Sequence, residues 1–385
     1  MREGWTYKKL GEVCEILNGF AFKSGNYTEQ GIRVLRITNV QKGLIVDDDP
    51  KYYPFDEETN LKQYMLKEGD LLMSLTGNVG RVGLLQKNLL PAALNQRVAC
   101  LRIKNSNIQL EYIFHLLNSD CFERDCIFNA TGIAQKNMST EWLKKYNIPI
   151  PSLSEQQSIV AELDKINELI SLKKAQLSDL DSLAQSIFYD MFGDPIENEK
   201  GWEVKKLGEV VDITAKLVDP NQEPYCNQFH VGPANIIGGT GEIVDCLIAK
   251  DENLISGKYA FKSGDVLYSK IRPNLNKVAI PSFEGVCSAD MYPLSIKTNA
   301  VNLYIMRLLM TNEFLKYAVN CSGRARMPKI NREALFEFKF CLPPLSLQQE
   351  FAKRIELIEQ QKAQISSTIK DLETLLASRM QYWFD

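Results

Sequence analysis

Between Asp70 and Glu111 the chain carries no acidic residue, while Arg81, Lys87, Arg97, Arg102 and Lys104 stand there among Thr76, Asn78, Asn95 and Gln96. A second acid-free run, Val266 to Phe283, holds Lys270, Arg272 and Lys277 with Asn274 and Asn276. A third, Gly323 to Arg332, is strongly basic, and its counterpart Gly132 to Asn137 is polar. Arg and Lys bond phosphates and the O6/N7 edge of guanine, and Asn and Gln bond the edge of adenine, so these residue types suit a nucleic-acid interface. A solvated strand-and-turn surface is the ordinary alternative. On charge and position, the expected DNA contacts are Asn78, Arg81, Asn95, Gln96, Arg97, Gln135, Lys136 and Asn137 in the first half. In the second half they are Lys270, Arg272, Asn274, Lys277, Arg324, Arg326 and Lys329.

Catalytic chemistry is hard to place. Gly257-Lys258 lacks the earlier glycine and the following Ser/Thr of a phosphate-binding loop, and G-x-G-x-x-G, G-x-S-x-G and H-E-x-x-H are missing. The Asn/Asp-Pro-Pro-aromatic element that would hold a flipped base is missing too, so no catalytic residue is assigned. Nine cysteines without a C-x-x-C pair suit reduced thiols. His115, Cys121 and Cys126 have the wrong spacing for tetrahedral zinc and are expected to pack in a core, so no metal is assigned either.

The elements that must position these residues come in duplicate. Trp5-Thr6-Tyr7-Lys8-Lys9-Leu10-Gly11-Glu12-Val13 returns 197 positions later as Trp202-Glu203-Val204-Lys205-Lys206-Leu207-Gly208-Glu209-Val210. Gly69-Asp70-Leu71-Leu72 returns 195 later as Gly264-Asp265-Val266-Leu267, and Pro151-Ser152-Leu153-Ser154-Glu155-Gln156-Gln157 returns 192 later as Pro343-Pro344-Leu345-Ser346-Leu347-Gln348-Gln349. The repeat therefore has a globular part that shortened between copies and a following part that kept its length. Apolar-polar runs at 31–37, 70–75, 97–103 and 265–268 read as strands, and 111–126 and 303–319 as helices.

The constant part reads as a long helix. Ile159, Leu163, Ile166, Ile170, Leu177 and Leu180 in one copy, and Phe351, Ile355, Ile358, Ile365, Ile369 and Leu372 in the other, recur at steps of three and four, a coiled-coil seam interrupted at Lys173 and Lys362. Serine with Gln three residues on, Ser154 and Gln157, Ser346 and Gln349, suggests a capping box, and Gly193-Asp194-Pro195 a stop. At 1.5 Å per residue such a helix is roughly 57 Å long. The cheapest cover for each seam is the other helix, antiparallel, which lets each lysine avoid the other and reach solvent.

The fold expected is α+β: two similar domains, 1–150 and 196–342, separated by helices at 151–195 and 343–385, with internal pseudo-two-fold symmetry. The 385 residues and 45% hydrophobic content suffice for two cores. Net charge is −3 and the isoelectric point about 5.7, yet segment 1–153 is +2 and 196–345 is +1, while 154–195 is −5 and 346–385 is −1. The globular parts carry the positive charge. No apolar run approaches a membrane span and the opening residues show no leader pattern, so a cytoplasmic protein is expected.

In its doubled W-x-x-x-K-L-G-E-V openings, Gly-Asp strands and Pro-x-Leu-Ser-x-Gln-Gln helix starts, the chain resembles the specificity subunit of type I restriction-modification systems along its whole length. The resemblance implies two target recognition domains, each reading half of an interrupted sequence in double-stranded DNA. It implies a helical spacer that docks methyltransferase subunits, with a restriction and translocase subunit joining them. S-adenosylmethionine, ATP and Mg are then expected on the partners, no cofactor on this chain, and the chain is not itself an enzyme. Two alternatives remain open: a specificity subunit for a partner that fuses nuclease and methyltransferase, and a coiled-coil scaffold without DNA binding.

Overall fold

The computed structural model describes residues 4–54, 61–132, 136–297, 299–323 and 327–385. It divides into two compact units, Met1–Lys173 with Thr368–Asp385, and Lys174–Ser367. Each unit thus holds one globular part and stretches of both long helices, Leu153–Phe192 and Leu345–Phe384.

In the first unit, strand Thr6–Lys9 pairs antiparallel with Asn147–Ile150, register Thr6↔Ile150, so the two ends of the globular part lie side by side. A four-stranded antiparallel sheet follows the order Cys14–Asn18, Val98–Ile103, Leu71–Ser74, Val82–Leu84. A three-stranded sheet places Ile32–Leu35 between Tyr52–Tyr53 and a parallel Ala92–Leu94. The second unit repeats the plan: Glu203–Lys206 pairs with Lys339–Leu342, and one four-stranded sheet runs Val211–Asp212, Met291–Ile296, Val266–Ser269, Val278–Ala279. A further sheet runs Leu217–Val218, Lys258–Phe261, Gly285–Cys287, Phe229–Val231, its last pair parallel.

The repeated motifs have concrete jobs. Leu-Gly-Glu-Val is a one-turn helix whose Leu10 and Leu207 are fully buried. A Cβ on Gly11 would sit 3.0 Å from the Lys144 carbonyl oxygen, and one on Gly208 2.9 Å from Phe336 Cβ, so only glycine lets the neighbouring helix approach. Asp70 and Asp265 close the turns before their strands, each accepting through Oδ2 from the backbone N–H three residues back, Lys67 at 2.8 Å and Lys262 at 2.9 Å. Gln156 and Gln348 are buried where each long helix leaves its domain. Gln156 Oε1 accepts from Gln109 N at 2.9 Å while its Nε2 donates to Pro151 O at 3.0 Å; Gln348 does the same with Val301 N and Pro343 O, at 3.0 and 2.8 Å.

Three expectations need correction. Ser154 and Ser346 lie inside the first turn; the cap of the first helix is a reciprocal Ser152–Glu155 pair, and the glutamines tie helix to domain. The helices expected at 111–126 and 303–319 are each two, Leu110–Leu117 and Asp120–Asn129, then Asn302–Leu309 and Asn312–Cys321. Ser119 and Thr311 start the second member by accepting from Phe122 N and Phe314 N. Lys362 is held by a partner instead of extending freely into solvent: its Nζ donates to Asp181 Oδ1 at 2.7 Å.

Within the first unit, the start of one long helix packs beside the end of the other. Glu162 binds Arg379 and accepts from Trp383 Nε1 at 2.9 Å, and Ile159, Leu163 and Phe384 share the domain core. Within the second unit, Phe188 and Phe192 pack against Phe351 with ring centroids 5.8 and 5.0 Å apart, and Phe351, Ile355 and Ile358 belong to that domain's core. Within each unit the two helical stretches thus run antiparallel. Ile166, Ile170, Ile365 and Ile369 are buried as well, whereas Leu177, Leu180 and Leu372 are half-buried.

Candidate nucleic-acid interface

Three loops that the sequence marks separately meet at one end of the first domain's sheet. Leu75 N donates to Arg97 O at 2.9 Å, Met138 N to Leu75 O at 2.8 Å and Gly77 N to Lys136 O at 2.9 Å. The second domain makes the same three bonds: Lys270 N to Asp290 O at 3.0 Å, Ile330 N to Lys270 O at 3.0 Å and Arg272 N to Pro328 O at 2.8 Å. Strand register confirms the equivalence, Ser74 facing Val98 as Ser269 faces Met291. Gln96, Arg97, Asn78, Lys136 and Asn137 cluster in one domain, and Arg272, Asn274, Asp290 and Lys329 in the other. Gln135, Arg324 and Arg326 lie outside the described residues.

Side-chain partners sort the expected contacts. Arg97, Gln96, Asn78 and Lys136 are exposed, as are Arg272, Asn274 and Lys329. Four others are engaged internally. Asn95 is 7% exposed and accepts through Oδ1 from Arg97 N at 3.1 Å; Ser288 Oγ accepts from Asp290 N at 3.2 Å in the same way, so Asn95 builds the turn that presents Arg97. Arg81 Nη1 donates to Gln41 Oε1 at 2.6 Å, and Lys277 Nζ to Pro233 O at 2.5 Å. Lys270 is 9% exposed, its ammonium held 5.0 Å from the centre of the Tyr292 ring, and burial with Lys329 nearby lowers its pKa. Arg102 and Lys104 are also structural, bonded to Asp70 and to Gly11 O.

Two residues escaped the sequence reading. Asp290 stands where the first domain has Arg97; a search for basic residues passes over it. Gln41 was missed because nothing local couples it to Arg81.

Arg272 holds a left-handed backbone, φ 47°, at the place where the first domain has Gly77 at φ 74°. A non-glycine residue pays about 1–2 kcal/mol for that conformation, and such strain persists at sites where the side chain serves a purpose. The guanidinium is exposed and no described residue bonds it. Among the described residues, neither loop cluster assembles a nucleophile, a base and an orienting group. No helix among the described residues is long and apolar enough to cross a membrane.

The family model for the type I restriction modification DNA specificity domain matches residues 2–181 and 199–374, and the chain belongs to that family. Among relatives, it is 28% identical over 283 residues to the type I restriction enzyme EcoDI specificity subunit of Escherichia coli, covering 65% of this chain and 62% of that one. It is 31% identical over 189 residues to the MjaVIII specificity subunit of Methanocaldococcus jannaschii, covering 48% and 44%. These alignments span less than two thirds of either relative. The crystal structure of the type I restriction-modification S subunit from M. genitalium superposes with a TM-score of 0.53 at 14% identity, covering 99% of this chain and 96% of that one, a likeness of fold.

Proposed function

We propose that this chain gives a type I restriction-modification complex its DNA specificity, each domain reading one half of a bipartite, gapped target. One observation carries the reading: the same three backbone bonds join the loops in both domains, while the exposed polar side chains they present differ. Identical scaffolds with different donors and acceptors suit two different base sequences. The long helices serve as spacer and as docking surface for methyltransferase subunits, which supply S-adenosylmethionine and the methyl-transfer chemistry; restriction subunits supply ATP-driven cleavage. This chain contributes recognition and no catalytic group.

The test is genome-wide mapping of methylated adenine in a host that expresses the methyltransferase partner, with and without this chain. A two-part motif of fixed gap that depends on the chain is the expected result. Removing one heptad from both helices should change the gap and leave both half-sequences intact. A methylome indifferent to the chain, with the partner bound, overturns the reading.

A further inference from the structure

Arg97 and Asp290 occupy one backbone position in the two domains, next to a turn closed by Asn95 in one and Ser288 in the other. No described residue donates a hydrogen bond to the Asp290 carboxylate, and its nearest cation among the described residues, Lys329 Nζ, is 3.7 Å away with both side chains about half exposed, 44% and 51%. A pair that long and that open contributes little. Asp290 is therefore a poor candidate for a structural ion pair. It is an acceptor to which no described residue donates, in a loop cluster whose cations among the described residues include Lys270, Arg272 and Lys329.

A carboxylate facing a polyanion is repelled unless it finds a donor. In the major groove the donors on base edges are the exocyclic amino groups, cytosine N4 and adenine N6, and carboxylates characteristically take cytosine N4. The flanking cations let the phosphate backbone come close enough for that contact.

Resting on the recognition reading above, we infer that Asp290 is a specificity residue that accepts from the amino group of a cytosine in the half-site of the second domain. Arg97, at the same position in the first domain, selects the opposite chemistry, an acceptor edge such as guanine O6 and N7. The two domains thus differ at this position by exchange of donor for acceptor on a common turn.

The experiment uses the full chain in complex with its methyltransferase partner, and adenine methylation is mapped for Asp290→Ala, Asp290→Asn and Arg97→Ala. Asp290→Ala should relax one base pair in one half-site, lowering discrimination there roughly tenfold or more, with the other half unchanged. Asp290→Asn, nearly isosteric, should shift the preferred base at that same position toward adenine. Arg97→Ala should act on the opposite half. An Asp290→Asn motif identical to the parent's at full methylation overturns the inference while leaving bipartite recognition intact. Uniform loss of methylation at all sites in Asp290→Asn overturns it as well, marking a structural role. A parent chain that yields no two-part motif overturns the recognition reading itself, and this assignment with it.

Discussion

Where each long helix leaves its domain, the two units keep a few residues and exchange the rest. Tyr112 and Tyr304 both donate from the hydroxyl to a backbone carbonyl, Pro149 O at 2.9 Å and Cys341 O at 2.8 Å, and Gln156 and Gln348 make matching pairs of bonds. Phe384 and Phe192 pack on the two tyrosines, with centroids at 5.8 and 4.9 Å. Beside these constants, Ile159 stands where the second unit has Phe351, and Met380 where it has Phe188. His115, bonded to Asp164 at 2.7 Å, stands where the second unit has Arg307, which reaches one turn further along its helix to Glu359 at 2.9 Å. The loop clusters follow the same rule. Groups that satisfy buried backbone stay, and groups that face each other or the solvent drift, because an orphaned buried carbonyl or N–H costs more than a changed side-chain partner.

The largest way to break this comparison is Phe351→Ala. Loss of a ring packed against Phe188 and Phe192 should cost about 3–5 kcal/mol, measured as denaturant stability and as hydrogen exchange confined to the second unit. Ile159→Ala should cost less; equal losses would mean that the aromatic cluster adds nothing beyond buried volume.

Gln156→Ala and Gln348→Ala should each cost about 1–3 kcal/mol, since both strand a backbone N–H and a carbonyl. Unequal costs would break the claim that these anchors are equivalent.

Arg272→Gly sharpens the comparison from the other side. Copying the first domain's glycine should relieve about 1–2 kcal/mol of left-handed strain against about 0.5–1 kcal/mol of extra chain entropy lost by glycine, a small net stabilisation of the second unit, while weakening DNA binding in a titration against the mapped target. A variant that gains stability and keeps full affinity would remove Arg272 from the interface.

Acid should separate the two junctions. Burial pushes the His115 pKa below its ordinary 6.5, with Asp164 pulling the other way. The unfolded chain therefore takes up the proton first. The stabilising contribution is complete above about pH 6.5 and is lost as acid titrates the group through its lower folded value. Helix Leu110–Leu117 should lose exchange protection on acidification through that window, whereas Asn302–Leu309, held by Arg307, should not. The smallest effect is expected at Arg379→Met: its pair with Glu162 is about a third exposed on both sides, 30% and 32%, and should contribute about 0.2–1 kcal/mol.

The doubling and the long helices were legible because they rest on local signals, a repeated residue order and a 3.5-residue apolar period. Helix breaks at Ser119 and Thr311 were not, since an N-cap inside an apolar run looks like any other polar residue. The loop cluster was half legible. Composition locates the three loops, but whether a cation is free depends on tertiary partners: Arg81 meets Gln41, Lys277 meets Pro233 O, and Arg97, one residue from Gln96, meets none among the described residues. Asn95 shows the converse. Its amide is the type that reads adenine, and its burial in a turn removes it from solvent.

The short ladders that pair Thr6–Lys9 with Asn147–Ile150, and Glu203–Lys206 with Lys339–Leu342, bring the entry and exit of each domain together. A module whose ends are adjacent can be cut out of a gene and replaced by another of different length without moving the helices that flank it. Inheritance can therefore act on whole domains: one crossover on each side, within the stretches coding for the matched motifs, exchanges one loop cluster for another and leaves the long helices as they were.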